Sequence, residues 1–193
     1  MIITRRCATA EDVISWGPCT DYPPERVRRI WGEKPLTALQ ALDLPIPPED
    51  RLWAVLRTQM IPGWVLHGLM LDFAERALPE WERFAIREAR HLLTVPRWAL
   101  ALQRQRGPVG IIPENKSATI EVKLVDACDT ALIATSVESI DAETAAWAAR
   151  VAFPGNYKSI DDVASYAAET DPEVERPWQV ERVREVLQEG AAA

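Results

Sequence analysis

Histidine is scarce in this chain, and the common motifs of metal sites and nucleophiles are absent. The 193 residues include only two histidines, His67 and His91, which lie 24 positions apart. Neither belongs to an HExxH pattern, and no cysteine pair has zinc-binding spacing. GxSxG and phosphate-loop motifs are missing as well. We therefore predict no catalytic, metal or cofactor site, and we interpret His67 as a core histidine between Leu66 and Met70.

The chain also has few cysteines and no long apolar run. The three cysteines, Cys7, Cys19 and Cys128, are odd in number and show no pairing pattern, which favours free thiols in a reducing compartment. No apolar run reaches the ~18 residues that a membrane-spanning helix requires. The first residues carry two arginines without the apolar stretch of a secretory signal. We expect a cytoplasmic protein with no membrane partner.

Positive charge is depleted in the last third of the chain. The net charge is −7. Residues 1–136 contain 17 acidic and 17 basic side chains, whereas residues 137–193 contain 12 acidic and 5 basic ones. An acidic surface disfavours nucleic acid and favours a basic protein partner, although a solvated face that maintains solubility explains the same pattern. The candidate partner-binding residues are six carboxylates: Asp161, Asp162, Glu169, Asp171, Glu173 and Glu175.

Hydrophobic residues, by contrast, are abundant, and they follow helical periodicity. They make up 48% of the chain and include eight tryptophans, as expected of a folded globular protein. The clearest pattern is an apolar face with helical spacing. Its members are Leu66, Leu69, Met70, Phe73 and Ala77. We predict that Pro79 stops or bends this helix, and that a second helix with Trp81 and Phe84 on its apolar side follows.

Capping residues and prolines predict short helices at the front of the chain. Thr9 and Asp12 have the spacing of a capping box, and Gly17 would end the helix that follows. Pro24 would begin a second helix and Gly32 would end it.

The residues from Thr37 to Gly63 predict the elements that precede the helix containing His67. Thr37 would open a third short helix, and Asp50 would cap a helix beginning at Arg51. Residues 51–60 are apolar enough to be buried, and Pro62-Gly63 indicates a break before the helix that contains His67.

The second half of the chain is less regular. Residues 104–117 form a predicted loop and a candidate sub-boundary. Residues 118–126 alternate like a strand but also fit a longer helix, which their length favours. A final helix is predicted from Pro177 to Gly190. The whole pattern predicts an all-α chain of about eight to ten helices, a multi-helix bundle with short proline-bounded N-terminal helices, forming a single domain over residues 1–193.

Residues 66–93 resemble the bacterial family of helical immunity proteins. The resemblance rests on LDFAERALP, residues 71–79, and on AIREAR, residues 85–90. Residues 144–153 and 175–187 are similar to alanine-rich and closing helices of uncharacterised phage and bacterial proteins. The chain departs from the family in a shortened spacer, Trp81-Glu82-Arg83, and in the interrupting loop. The resemblance implies an all-helical bundle that neutralises a toxin or another protein, and it implies no catalytic residues.

Three functional hypotheses follow, each with its own signature. The first is a non-enzymatic, immunity-like inhibitor that binds a basic protein through its acidic C-terminal region. The second is a phage-encoded accessory or anti-defence protein that blocks a host nucleic-acid enzyme and competes with DNA. The third, an enzyme that uses His67 in a pocket, requires His67→Ala to abolish an activity while the fold stays intact.

Overall fold

The computed structural model describes residues 6–84, 160–169 and 171–192. These residues are mostly helical, as the sequence predicts, and they also contain a two-stranded sheet that it does not predict. The strands are β1 (Cys7–Ala8) and β2 (Leu36–Thr37). The helices within these ranges are α1 (Ala10–Ser15), α2 (Pro24–Trp31), α3 (Ala38–Ala41), α4 (Pro48–Val55), α5 (Gly63–Phe84), α6 (Ile160–Ala168) and α7 (Pro172–Ala192).

The chain divides into two compact units, and the division falls inside α5 and α7. The first unit contains Met1–Val65 together with Arg176–Ala193, and the second contains Leu66–Glu175. The sub-boundary predicted in residues 104–117 lies outside the described residues.

Capping boxes define the starts of α1 and α3, as the sequence predicts for α1. The Thr9 hydroxyl accepts the backbone N–H of Asp12 at 3.2 Å, and the Asp12 carboxylate accepts the backbone N–H of Thr9 at 2.8 Å. The Thr9 hydroxyl also donates to the Asp12 carboxylate at 2.7 Å, and this bond, together with that from the backbone N–H, holds the pKa of Asp12 below its ordinary value. Thr37 opens α3 through the same exchange with Gln40. Each box satisfies amides that the first turn of a helix leaves without helical partners.

Helix α2 begins and ends where the prolines and glycine predict. Pro24 is its first residue, and Gly32 follows it with a φ of 79°, a conformation that favours glycine. Its last residue, Trp31, is buried, and the indole Nε1 donates to the Ala8 carbonyl at 2.8 Å. This bond joins α2 to the short antiparallel sheet, in which Cys7 pairs with Thr37 and Ala8 with Leu36.

Helix α4 starts earlier than predicted. Pro47 and Pro48 precede and begin it, so the prediction that Asp50 caps a helix starting at Arg51 is wrong. Proline suits this place because its fixed φ is helical and the missing N–H would have no helical partner there. Asp50 lies in the first turn, and its Oδ2 accepts the Tyr22 hydroxyl at 2.5 Å.

Helix α5 confirms the predicted apolar face but not its end. Leu66, Leu69, Met70, Phe73 and Ala77 are all buried, with exposures between 0% and 5%. The backbone remains helical through Pro79 to Phe84, so of the two predicted effects of Pro79, stopping the helix or bending it, the first does not occur. Proline removes one hydrogen bond, but the hydrogen bonds of the neighbouring turns remain available, and burial of the apolar face favours continuation.

Helix α7 also begins earlier than predicted and contains the expected apolar residues. It starts at Pro172, so Pro177 lies inside it rather than at its first position. The expected inward residues Val180, Val183 and Leu187 are buried, whereas Trp178 is half-buried. In the first unit, Arg184 of α7 donates to Asp43 at 2.8 Å, and this hydrogen bond raises the pKa of Arg184.

Further sequence predictions also lie outside the described residues. They include the part of the second predicted helix beyond residue 84, the strand or helix at 118–126 and the alanine-rich helix at 144–153.

Candidate partner-binding site

The candidate site is the acidic segment, defined here as Glu169 and residues 171–175. Glu169 lies in the turn after α6, and Asp171 immediately precedes α7. The Asp171 Oδ1 accepts the Val174 amide at 3.3 Å, and its backbone carbonyl accepts the Glu175 amide at 2.8 Å. Asp171 thus occupies the position of a helix cap, followed by Pro172 at the first helical position. The sequence carries this Asp-Pro signal, which predicts the start of α7 better than Pro177 does.

An apolar side chain lies among these carboxylates. Val174 is 53% exposed, one of two large exposed hydrophobic side chains in the described part of the chain. Glu169, Asp171 and Glu173 are exposed as well. An apolar centre with a polar, charged surround is the arrangement that protein interfaces commonly use. The charge pattern of the sequence identifies the carboxylates, but only the structure distinguishes Val174 from the many buried valines.

Glu175 occupies a different environment from the other acidic residues of the segment. Its side chain is only 14% exposed and forms an ion pair with Arg76 of α5, within the second unit. The Arg76 Nε donates to Oε1 at 3.2 Å and to Oε2 at 3.1 Å, while Nη2 donates to Oε1 at 3.1 Å. Both carboxylate oxygens of Glu175 are therefore engaged inside the protein.

The two remaining predicted partner-binding residues are placed only by their backbone. Asp161 and Asp162 belong to the first turn of α6, and their side chains lie outside the described residues. Acidic residues in a first helical turn are favoured by the helix dipole, which is a structural reason for their presence.

A second cluster, Trp16, Trp53 and Arg57, is the main aromatic feature of the first unit. The Arg57 guanidinium lies 4.0 Å from the Trp53 ring centre and 5.2 Å from the Trp16 ring centre. Its Nε also donates to the Trp53 carbonyl at 2.9 Å. That carbonyl lies in the last turn of α4, where carbonyls lack helical partners. The half-buried cluster therefore stabilises the end of α4, and its geometry has a structural explanation.

Neither histidine nor cysteine forms a metal site in the described ranges. His67 is 3% exposed, in keeping with the prediction of a core position, whereas His91 lies outside the described residues. Cys7 and Cys19 are exposed free thiols. Across residues 6–84, 160–169 and 171–192, no group of three or more His, Cys, Asp or Glu side chains is arranged to hold a metal ion.

The long helices differ from membrane-spanning ones. Among the described helices, none has both the length and the apolar character that crossing a bilayer requires. Helix α5, at 22 residues, is long enough but carries charged residues such as Asp72, Glu75 and Arg76.

Comparison with known proteins gives no further assignment. No family model, no curated protein and no solved structure matches this chain.

Proposed function

We propose that this chain is a non-enzymatic, immunity-like protein that neutralises a basic protein partner through the acidic segment. The observation that carries the proposal is the exposed Val174 among the exposed carboxylates Glu169, Asp171 and Glu173. Carboxylates of one sign attract a basic surface and accelerate association, while an apolar centre contributes contact energy once water is excluded. Asp161 and Asp162, in the first turn of α6, are further candidate partner-binding residues.

The sequence resemblance provides the biological context of this proposal. It implies that the whole chain is an all-α bundle of the immunity type, and the helical content of the described ranges is consistent with that architecture. The exposed thiols of Cys7 and Cys19 are consistent with the reducing cytoplasm in which such a protein would act.

The proposal is tested by capturing the protein partner and then measuring the rate at which it associates with the chain. The full chain is used to capture proteins from the lysate of its native host at low and at moderate salt, and the captured protein is identified by mass spectrometry. Glu169→Lys with Glu173→Lys should then slow its association about tenfold or more at low salt, because steering depends on the sign of the local charge. The difference should shrink at moderate salt, where exposed charges are screened.

A control pair of charge reversals and a substitution of Val174 test whether the effect is specific to the acidic segment. Glu33→Lys with Glu189→Lys changes the net charge equally at exposed positions outside the acidic segment and should leave most of the association rate unchanged. Val174→Ser should accelerate dissociation without slowing association. Equal slowing by both pairs of reversals would refute a specific acidic site. Displacement of the partner by duplex DNA would instead favour the anti-defence hypothesis.

A further inference from the structure

The Arg76–Glu175 ion pair connects α5 to the first turn of α7, across 99 positions of sequence. Its geometry is specific, because two guanidinium nitrogens engage both carboxylate oxygens. A paired contact of this kind fixes orientation as well as distance, which a single charge contact does not. Arg76 is 42% exposed and Glu175 is 14% exposed, so the pair lies at the edge of the second unit.

The first turn of α7 relies on Asp171, the residue before the helix, for its hydrogen-bond acceptors. The first amides of a helix lack helical acceptors, and Asp171 supplies acceptors for the amides of Val174 and Glu175. Pro177, inside the same helix, has no N–H to donate to the Glu173 carbonyl. The first turn therefore has one helical hydrogen bond fewer to the rest of α7, and a contact from another element adds to its stability.

We infer that the Arg76–Glu175 ion pair is a latch that fixes the conformation of the acidic segment, and that Arg76 is a positioning residue for partner binding. Successive helical residues point about 100° apart. Holding the Glu175 side chain against Arg76 therefore directs Glu173 and Val174 away from α5, in agreement with their exposure. Glu175, a predicted partner contact, acts within the chain instead. The role in binding rests on the proposed function, whereas the latch does not.

Hydrogen exchange of the full chain tests the latch. Arg76→Glu and Glu175→Arg should each accelerate exchange of the amides in residues 171–176 roughly two- to fivefold, the range expected from a partly exposed ion pair. The double variant with both changes should restore slow exchange, because the charges are exchanged but the pair remains. Arg182→Glu is the matched control, since it breaks the Arg182–Glu185 pair of the same helix and changes the net charge equally.

A salt titration of the unmodified chain tests the same latch without any substitution. Exchange in residues 171–176 should accelerate as salt rises to about 1 M, where the screening length is ~3 Å. Exchange in the buried part of α5 should stay constant. The latch is overturned if exchange of the segment is unaffected by salt, if Arg76→Glu leaves it slow, or if the double variant stays fast.

Partner binding separates the positioning role from the proposed function. Arg76→Glu makes the surface more acidic, so electrostatic steering alone predicts faster association with a basic partner. Loss of the Arg76–Glu175 pair predicts instead a lower affinity for the partner. The double variant should restore the affinity of the parent chain. Unchanged or tighter binding of Arg76→Glu would overturn the positioning role. If the captured partner still responded to Glu169→Lys with Glu173→Lys, the proposed function would stand.

Discussion

The fold changes the acid–base chemistry of Tyr22. Its hydroxyl donates to Asp50 at 2.5 Å, and the Arg26 guanidinium lies 4.4 Å from its ring centre. Burial, together with the hydrogen bond to Asp50, raises the pKa of Tyr22 to about 12. The pair connects the loop before α2 to the first turn of α4, so its protonation state bears on the stability of the first unit.

The raised pKa of Tyr22 predicts a loss of stability in alkali. An unfolded tyrosine loses its proton near pH 10, whereas Tyr22 in the folded protein keeps it to about pH 12. The native state therefore holds the proton more tightly, and its stabilising contribution is complete below pH ~10 and lost between ~10 and ~12. Denaturant unfolding between about pH 9 and 12 should show a decline that Tyr22→Phe reduces.

Tyr166→Phe is the control for this measurement. Tyr166 is half-buried in α6, and its replacement should leave the Tyr22-dependent part of the decline intact. A Tyr22→Phe protein whose stability declines with pH as steeply as that of the parent chain would contradict the assignment.

At the level of the single helix, α5 combines strong burial with a glycine in its interior. Gly68 lies in its second turn, and a Cβ built there would meet no atom within 4 Å. Its φ is not positive, unlike that of Gly32 at the end of α2. Neither backbone conformation nor packing therefore requires glycine at position 68.

Gly68→Ala should stabilise the protein by roughly 0.5–1 kcal/mol, because glycine loses more backbone freedom than alanine on entering a helix. Thermal or denaturant unfolding measures the change. Gly32→Ala is the contrasting variant. Its open surroundings are the same, but its φ of 79° strains any other residue, so it should destabilise the protein. Stabilisation by both variants, or by neither, would show that backbone conformation does not govern these positions.

At the scale of the whole molecule, the two ends of the chain belong to one compact unit. Residues 176–193 complete the unit that contains Met1–Val65. They supply the buried side chains of Val180, Val183 and Leu187, and the Arg184–Asp43 ion pair. The C-terminal helix is therefore structural over most of its length.

Deletion of residues 176–193 should abolish cooperative folding of the first unit. Burying one Val or Leu side chain is worth about 1.5–3 kcal/mol, so losing three approaches the ~5–15 kcal/mol that stabilises a whole domain. Circular dichroism and thermal unfolding measure the loss. Deletion of residues 190–193 alone should change stability by less than about 0.5 kcal/mol, because it removes one glycine and three alanines and leaves Val180, Val183 and Leu187 in place. An unchanged cooperative transition after the longer deletion would contradict this account.

The local features of this protein follow from the sequence alone. Helical spacing identified the apolar face of α5, because residues at this spacing share one side of a helix. The Thr9–Asp12 box and Pro24 identified the starts of α1 and α2, because interactions within a few residues decide where a helix begins. The acidic character of residues 169–175 was equally visible, since charge is a property of composition.

Tertiary structure decided the features that depend on distant residues. Helix α5 continues through Pro79, because the packing of an apolar face can outweigh one lost hydrogen bond. Cys7 pairs with Thr37, and Arg76 pairs with Glu175. The partners lie far apart in sequence, so no local pattern predicts that they meet. Val174 is exposed and Val180 is buried on the same helix. This difference also depends on the tertiary structure, because burial depends on which elements surround a helix.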